Sequence, residues 1–215
     1  MWSLFDAQTI ITMLTLLFVM CTGVIGLLLL SRRPAVGAGE WGVMLLVYVM
    51  NSLILQIRRP EWDLVWLTPV LVALGILPAA LYWRGLMRWR GLPDLSHFKI
   101  FGWSLAGGIT AFIGQRLGWE TTTFSGISPV FTSTLVIISL ATCWNVPELR
   151  MIKGILLVLS VVQLTRVGLY FSAAPRDVIV LSVLIQAMLV TASGASLYHA
   201  VSQRAVAPFI RSRAS

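Results

Sequence analysis

Charge is what this chain of 215 residues has least of: Asp, Glu, Lys and Arg together make up 11%, and only 8 residues are acidic. Soluble domains carry about 25% charged residues. Apolar residues meanwhile reach 58%, and a soluble fold of this size has too little interior to hide them. A lipid bilayer is the solvent that resolves the excess, and so the first partner. Cysteine is scarce too. Cys21 and Cys143 both fall inside apolar runs, which makes them small packing residues rather than a disulfide framework. His97 and His199 stand at the ends of apolar runs, away from any Cys or acidic pair at ligand spacing, so no metal site is expected. There is no Gly-rich phosphate loop, no nucleophile elbow and no inward pair of carboxylates. The last apolar run lacks a lysine that could hold retinal. The chain is therefore expected to be no enzyme and to carry no cofactor. With no Gly/Ser linker and no low-complexity tract, it reads as one domain.

What is present is a series of seven apolar segments, at about 8–30, 41–57, 64–84, 99–119, 127–145, 152–172 and 177–200. Each is near the roughly 17–25 residues that a helix needs to cross hydrocarbon. Continuous runs predict helices, because strands of a membrane barrel would alternate polar with apolar residues. The first run follows a segment that holds Asp6 and no Lys or Arg, and it continues to Leu30. That is too long for a signal-peptide core of about 7–15 residues, so it is a span. The expected fold is an all-α membrane protein, a bundle of seven transmembrane helices over residues 1–203, followed by a basic tail at 204–215.

The net charge of +8 would suit nucleic acid, but its residues sit between the apolar runs, so no nucleic-acid partner is expected. In those places they meet headgroups and orient the helices. With the N-terminus outside, the inner loops and tail hold Arg32, Arg33, Arg84, Arg88, Arg90, Lys99, Arg150, Lys153, Arg204, Arg211 and Arg213. The outer side holds Arg58, Arg59 and Arg176, with Arg116 near it. The positive-inside rule then places the C-terminus in the cytoplasm of a bacterial inner membrane. Glu61, Asp63, Glu120 and Asp177 become solvated outer charges. Trp2, Trp62, Trp66, Trp103 and Trp119 fall at helix ends, as an aromatic belt would.

Polar residues inside the spans are the informative ones, because each is costly unless it faces the bundle or a cavity. Helix six carries Gln163, Arg166 and Tyr170, whose spacing of three and four puts them on one face. At about 1.5 Å per residue from Lys153, Arg166 lies roughly 20 Å in, within the outer half. Helix four brings Gln115 and Arg116 to a similar level. Helix two offers Asn51 near its middle and Gln56 near its outer end, and helix seven offers Gln186 roughly 14 Å below its outer start. One reading is a small outer pocket that holds a polar or anionic ligand against Arg166 and Arg116. The other is a set of interhelical hydrogen bonds that glue the bundle. Packing is the simpler account of the amides. For Arg166 both stand, since its own helix offers no acid to neutralise it.

Leu81-Tyr82-Trp83-Arg84-Gly85-Leu86-Met87-Arg88 can be laid on Leu197-Tyr198-His199-Ala200-Val201-Ser202-Gln203-Arg204. Each follows an outer Pro and Asp (Pro60 and Asp63; Pro175 and Asp177) by a similar distance. This hints at three helices, a linker helix and three more in parallel, as some transporters have. A Tyr and an Arg are also what any cytoplasmic helix end selects.

Three short stretches carry a family resemblance. Phe5-Asp6-Ala7-Gln8-Thr9 opens a helix that ends Ser31-Arg32-Arg33-Pro34. Arg59-Pro60-Glu61-Trp62 precedes helix three, and Leu81-Tyr82-Trp83-Arg84-Gly85-Leu86-Met87-Arg88-Trp89-Arg90-Gly91 leaves it. Together they resemble the N-terminal seven-helix sensory region of many bacterial diguanylate cyclases, over most of the seven helices. The resemblance implies a membrane-embedded sensor, the input module of a signal-transduction protein. In that family a cytoplasmic GGDEF domain follows, whereas this sequence stops at Ser215 without that motif. The expectation is then either the sensor portion of a longer protein or a stand-alone relative. The latter would signal as a homodimer or through a cytoplasmic partner. The family fixes no ligand-binding residues. The alternative is a small-solute transporter with a 3+1+3 helix arrangement. Against it stands the lack of mid-membrane acids and of paired Pro/Gly-broken helices.

Overall fold

A computed structural model describes residues 7–32, 35–57, 67–118, 121–172 and 176–213, and among these it has seven α-helices and no strand. They are α1 (Ala7–Ser31), α2 (Ala38–Ile57), α3 (Leu67–Trp89), α4 (His97–Arg116), α5 (Thr121–Cys143), α6 (Arg150–Phe171) and α7 (Arg176–Arg213), with a 3-10 turn at Pro147–Leu149 before α6. Six of the helices are long and apolar enough to cross a membrane, over Thr9–Ser31, Ala38–Leu55, Leu67–Trp89, Gly126–Cys143, Pro147–Phe171 and Leu181–Ala205. The chain is a multi-pass helical membrane protein.

The seventh helix, α4, is as long as α2 and differs in composition. Its buried face is Ser104, Gly107, Gly108, Ala111 and Gly114, while Phe101, Leu105, Ile109 and Ile113 are exposed. The small residues let α4 lie directly on α3. A Cβ at Gly107 would come within 2.1 Å of Ile76, and one at Gly108 within 3.0 Å of the Pro69 carbonyl. Such seams bring backbones together in lipid. They also lower the mean hydropathy of a helix whose outward face is as apolar as that of its neighbours.

The other six helices form a ring in the order α1, α2, α3, α5, α6, α7, with α7 returning to α1 and α4 applied to the outside of α3 and α5. Within this ring α1·α7 and α3·α5 occupy equivalent places, as do α1·α2·α3 and α5·α6·α7. That is the adjacency a three-plus-one-plus-three arrangement requires. Thr22 and Thr191 tie α1 to α7 through their hydroxyls, 2.7 Å apart.

Helix ends follow local chemistry more than hydropathy. α3 runs on to Trp89, past the expected end at 84, and stops where Gly91 takes a positive φ of 65° and Leu92 N–H donates to the Met87 carbonyl at 3.0 Å. This is the Schellman closure, which favours glycine. α4 ends at Arg116 rather than 119, with Gly118 at φ 75°. α7 continues to Arg213 instead of ending at 200, running through Pro208. α5 starts at Thr121, before the apolar run expected at 127, and its hydroxyls bond back along the helix, as Thr132 does to the Ser128 carbonyl at 2.8 Å. Back-bonding of this kind lets a Ser/Thr-rich helix enter an apolar environment.

Most of the described basic residues gather at one end. Arg32 meets Tyr198, Arg90 meets the Thr142 carbonyl, Lys153 the Trp144 carbonyl and Arg204 the Trp89 carbonyl. Under them lies a packed plug of Trp41, Leu45, Leu86, Leu149, Ile152 and Leu197, all essentially inaccessible. Trp41 and Trp89 belong to this plug, with ring centroids 5.5 Å apart, so they do not join an interfacial belt. Of the expected belt only Trp103 is described, edge-on to Phe131 at 6.1 Å. Trp2, Trp62, Trp66 and Trp119 lie outside the described residues, as do Arg33, Arg58, Arg59, Glu61, Asp63 and Glu120.

Candidate functional site

Five helices turn one polar face inward. On α2 this face holds Tyr48, Asn51 and Ser52; on α3, Gly75, Pro78 and Tyr82; on α5, Ser128, Thr132 and Ser139; on α6, Gln163, Arg166 and Tyr170; on α7, Gln186 and Ser193. Within each helix the spacings are one, three, four or seven residues, or sums of three and four, which is the helical period of a single face. These faces line two adjacent chambers. The one at the Arg166 end measures about 220 Å³ and is lined by Asn51, Ser52, Thr68, Ser128, Arg166 and Tyr170 among others. The inner one measures about 60 Å³ and is walled mainly by Met44, Ala79, Val136, Leu156, Leu159 and Val190. Tyr48, Gly75, Pro78, Thr132 and Gln186 border both.

Arg166 is the cation of the outer chamber. It donates to Gln163 Oε1 at 3.4 Å and to the Tyr170 hydroxyl at 3.5 Å, and its guanidinium carbon lies 5.8 Å from the Tyr170 ring. Both contacts are at the limit of hydrogen bonding, and its buried Nε has no partner among the described residues. No described carboxylate pairs with it. Asn51, 9% exposed, likewise leaves Oδ1 without a partner. Buried polar groups are ordinarily satisfied, so two orphans on one small chamber mark a place where a ligand or water completes the bonding.

The far end is closed. Tyr82 and Ser193 share a hydrogen bond at 2.9 Å across the floor of the inner chamber, and beneath them sits the Trp41, Leu86 and Leu197 plug. The walls come close where Gly75 faces α5, since a Cβ there would meet Ser128 Oγ at 2.8 Å and Asn51 Nδ2 at 3.4 Å. Pro78 and Pro129 both border the chambers, yet α3 and α5 run through them unbroken.

Of the residues expected from sequence, Arg166, Gln163, Tyr170, Asn51 and Gln186 are brought together here. Arg116 and Gln115 are not. α4 stands outside the ring, so Arg116 is exposed and folds back over Phe112, 5.3 Å from the ring centroid, while Gln115 on the same outer helix has no partner for its Oε1 among the described residues. The backbone of Gln56 continues α2, and its side chain lies outside the described residues. Sequence reasoning missed Tyr48, Ser52, Gly75, Ser128, Thr132 and the Tyr82–Ser193 floor. The available signal was the period: Tyr48-Asn51-Ser52 and Gly75-Pro78-Tyr82 repeat at helical spacing.

A second polar cluster stands at the basic end. Buried Arg84 grips Asp94 with Nε to Oδ1 at 3.0 Å and Nη2 to Oδ2 at 3.1 Å, and approaches His97 Nδ1 at 2.9 Å. Arg88 adds a bond to Asp94 at 2.9 Å and another to Glu40. These bonds, Arg84's foremost, hold the Asp94 carboxyl below the usual carboxylate range. The cluster is charge-balanced and ties the α3–α4 loop to α3, which is a structural task. Among the described residues no three His, Cys, Asp or Glu side chains come together as metal ligands.

Fold and site define a class, a multi-pass α-helical membrane protein with a partly polar chamber inside a six-helix ring. No protein-family model, curated protein or solved structure matches the chain.

Proposed function

We propose that this chain is a membrane-embedded sensory input module, set in a bacterial inner membrane with its N-terminus outside and its C-terminus in the cytoplasm, and that α4 is its seventh span. The ligand is a small polar or anionic solute that enters from the outer side and engages Arg166. One observation supports the reading: a chamber lined by a guanidinium without a carboxylate partner among the described residues lies above the Tyr82–Ser193 hydrogen bond and a buried aromatic plug. Such a site can bind and shift the packing of the helices around it, which is all that a sensor requires. The resemblance of the short stretches around Phe5–Thr9, Arg59–Trp62 and Leu81–Gly91 to diguanylate cyclase sensory regions points the same way, and so does the long α7, which continues beyond its apolar span to Arg213.

A small-solute transporter is the second reading. It is favoured by the pseudo-symmetric ring with α4 outside and by Pro78 and Pro129 at the chamber wall, where a proline removes a backbone hydrogen bond and eases bending. A transporter must open the same site to both faces, and the apolar plug makes the inner route costly for a charged solute.

The test is thermal unfolding of purified protein against a panel of small carboxylates and phosphate esters, each beside its neutral amide or alcohol. Stabilisation by anions that is absent for their neutral partners and lost in Arg166→Met supports the reading. Equal stabilisation of the wild type and the variant contradicts it. Uptake of a stabilising anion into liposomes would favour the transporter.

A further inference from the structure

The arginines at the basic end fall into two sets. Arg84 and Arg88 are neutralised by Asp94 and Glu40. Arg32 and Arg204 pair with no carboxylate among the described residues, and both line one open cleft of about 570 Å³ with Ser31, Val36, Trp89 and Val201. Each is held by an aromatic ring. Arg32 lies 5.7 Å from the Tyr198 centroid and donates to its hydroxyl at 3.3 Å; Arg204 lies 4.4 Å from the Trp89 centroid and donates to its carbonyl at 3.3 Å. Stacking fixes the guanidinium planes and leaves further N–H groups for an acceptor. Trp89 itself is 5% exposed, and its indole N–H has no acceptor among the described residues. Two like charges facing a shared cleft beside an unpartnered donor are complementary to a polyoxygen anion.

The depth of the cleft says where that anion comes from. Ser31 and Arg32 stand one helical turn beyond Leu27 and Leu28, which are exposed on α1, and Arg204 stands at the end of the apolar span of α7. The cleft therefore lies at the level where hydrocarbon gives way to headgroups. We propose that it binds the phosphate of an anionic phospholipid, between the ends of α1, α3 and α7. Arg32 and Arg204 clasp the phosphate oxygens, and the acyl chains run along the exposed leucines of α1. The lipid would staple the ring where α7 closes on α1, independently of whatever binds at Arg166.

Delipidated full-length protein in a neutral detergent tests this, by titration with phosphatidylglycerol, phosphatidylcholine or inorganic phosphate while following thermal unfolding and lipid retention in native mass spectrometry. Phosphatidylglycerol is expected to stabilise and remain bound, whereas phosphatidylcholine does neither. In Arg32→Gln/Arg204→Gln its apparent affinity should fall roughly thirtyfold, the loss expected for two arginines at a membrane surface. Arg150→Gln, exposed at the same end outside the cleft, should leave it unchanged. Equal losses in both variants would reduce the effect to general surface charge and overturn the site. Inorganic phosphate matching the lipid would overturn the lipid as its source. Should the double variant not fold, competition in the wild type decides: bound phosphatidylglycerol displaced by millimolar phosphate contradicts the proposal, and its retention supports it.

Discussion

Arg166→Met separates a ligand-binding arginine from a structural one. If Arg166 held the bundle together, its removal would leave satisfied partners unpaired at about 1–3 kcal/mol. The geometry argues for a smaller and opposite effect. Its two hydrogen bonds, at 3.4 and 3.5 Å, both stay within α6 and link it to no other helix. Gln163 and Tyr170 lose little when such long contacts vanish. A guanidinium at mid-membrane depth costs up to about 2.5–3.5 kcal/mol. Arg166 is half-buried and borders a chamber of about 220 Å³, so only part of that cost applies, and methionine relieves it while keeping most of the apolar stem. The unfolding midpoint in detergent should be unchanged or rise by roughly 2–4 °C, the shift that about 1 kcal/mol produces in a chain of this size. Stabilisation by small anions should disappear in the same sample. A fall in midpoint of more than about 5 °C would refute the reasoning, because it would show contacts that the two long bonds do not supply.

The closed end should be the intolerant one. In Gly85→Ala the new Cβ would lie 2.1 Å from Trp41 Nε1, and overpacking of this kind costs about 1–3 kcal/mol, so the midpoint should drop. Gly154→Ala, with nothing within 4 Å, should hold or raise it, and a reversed order would discredit the plug. The Asp94 carboxyl is lowered by its arginines, so its stabilising effect is present above the ordinary carboxylate pKa and lost as pH falls through the lowered one. Melting should be flat from about pH 7 to 5 and fall below about pH 4, and Asp94→Asn should reduce that step. Reporters inserted at Gly91 and Gly118, both with open surroundings, should land on opposite sides of the membrane. Finding both on one side would remove α4 as a span.

How much of this was legible in the sequence depended on whether period or partner decided the outcome. Helix number and order followed from apolar runs, because lipid demands continuous helices. Ends were less legible. α3 continues past Arg84 because that charge is satisfied by Asp94 inside the fold, and α7 continues past 200 because a helix does not stop where hydrocarbon does. The inward grouping of Gln163, Arg166 and Tyr170 could be read from one helix alone. That Asn51 and Gln186 join them while Arg116 does not depends on which helices neighbour α6. Depth along a helix is written in the sequence, but azimuth around the bundle is not. The Gly107–Gly108 seam was the available hint that α4 lies flat against α3, outside the ring. The Tyr82–Ser193 floor was illegible for the same reason, being a contact between helices far apart in sequence.

The most direct test of a one-sided anion chamber is labelling of a single cysteine at Val183, which lines the chamber near Arg166, after Cys21 and Cys143 are replaced by alanine. In sealed vesicles of known orientation, an anionic thiol reagent should react from the outer face faster than a cationic one of the same size. That preference should vanish in Arg166→Met, and reagent confined to the cytoplasmic face should leave the cysteine unmodified. Comparable labelling from the cytoplasmic face, or equal rates for both reagents with Arg166 in place, would contradict the account.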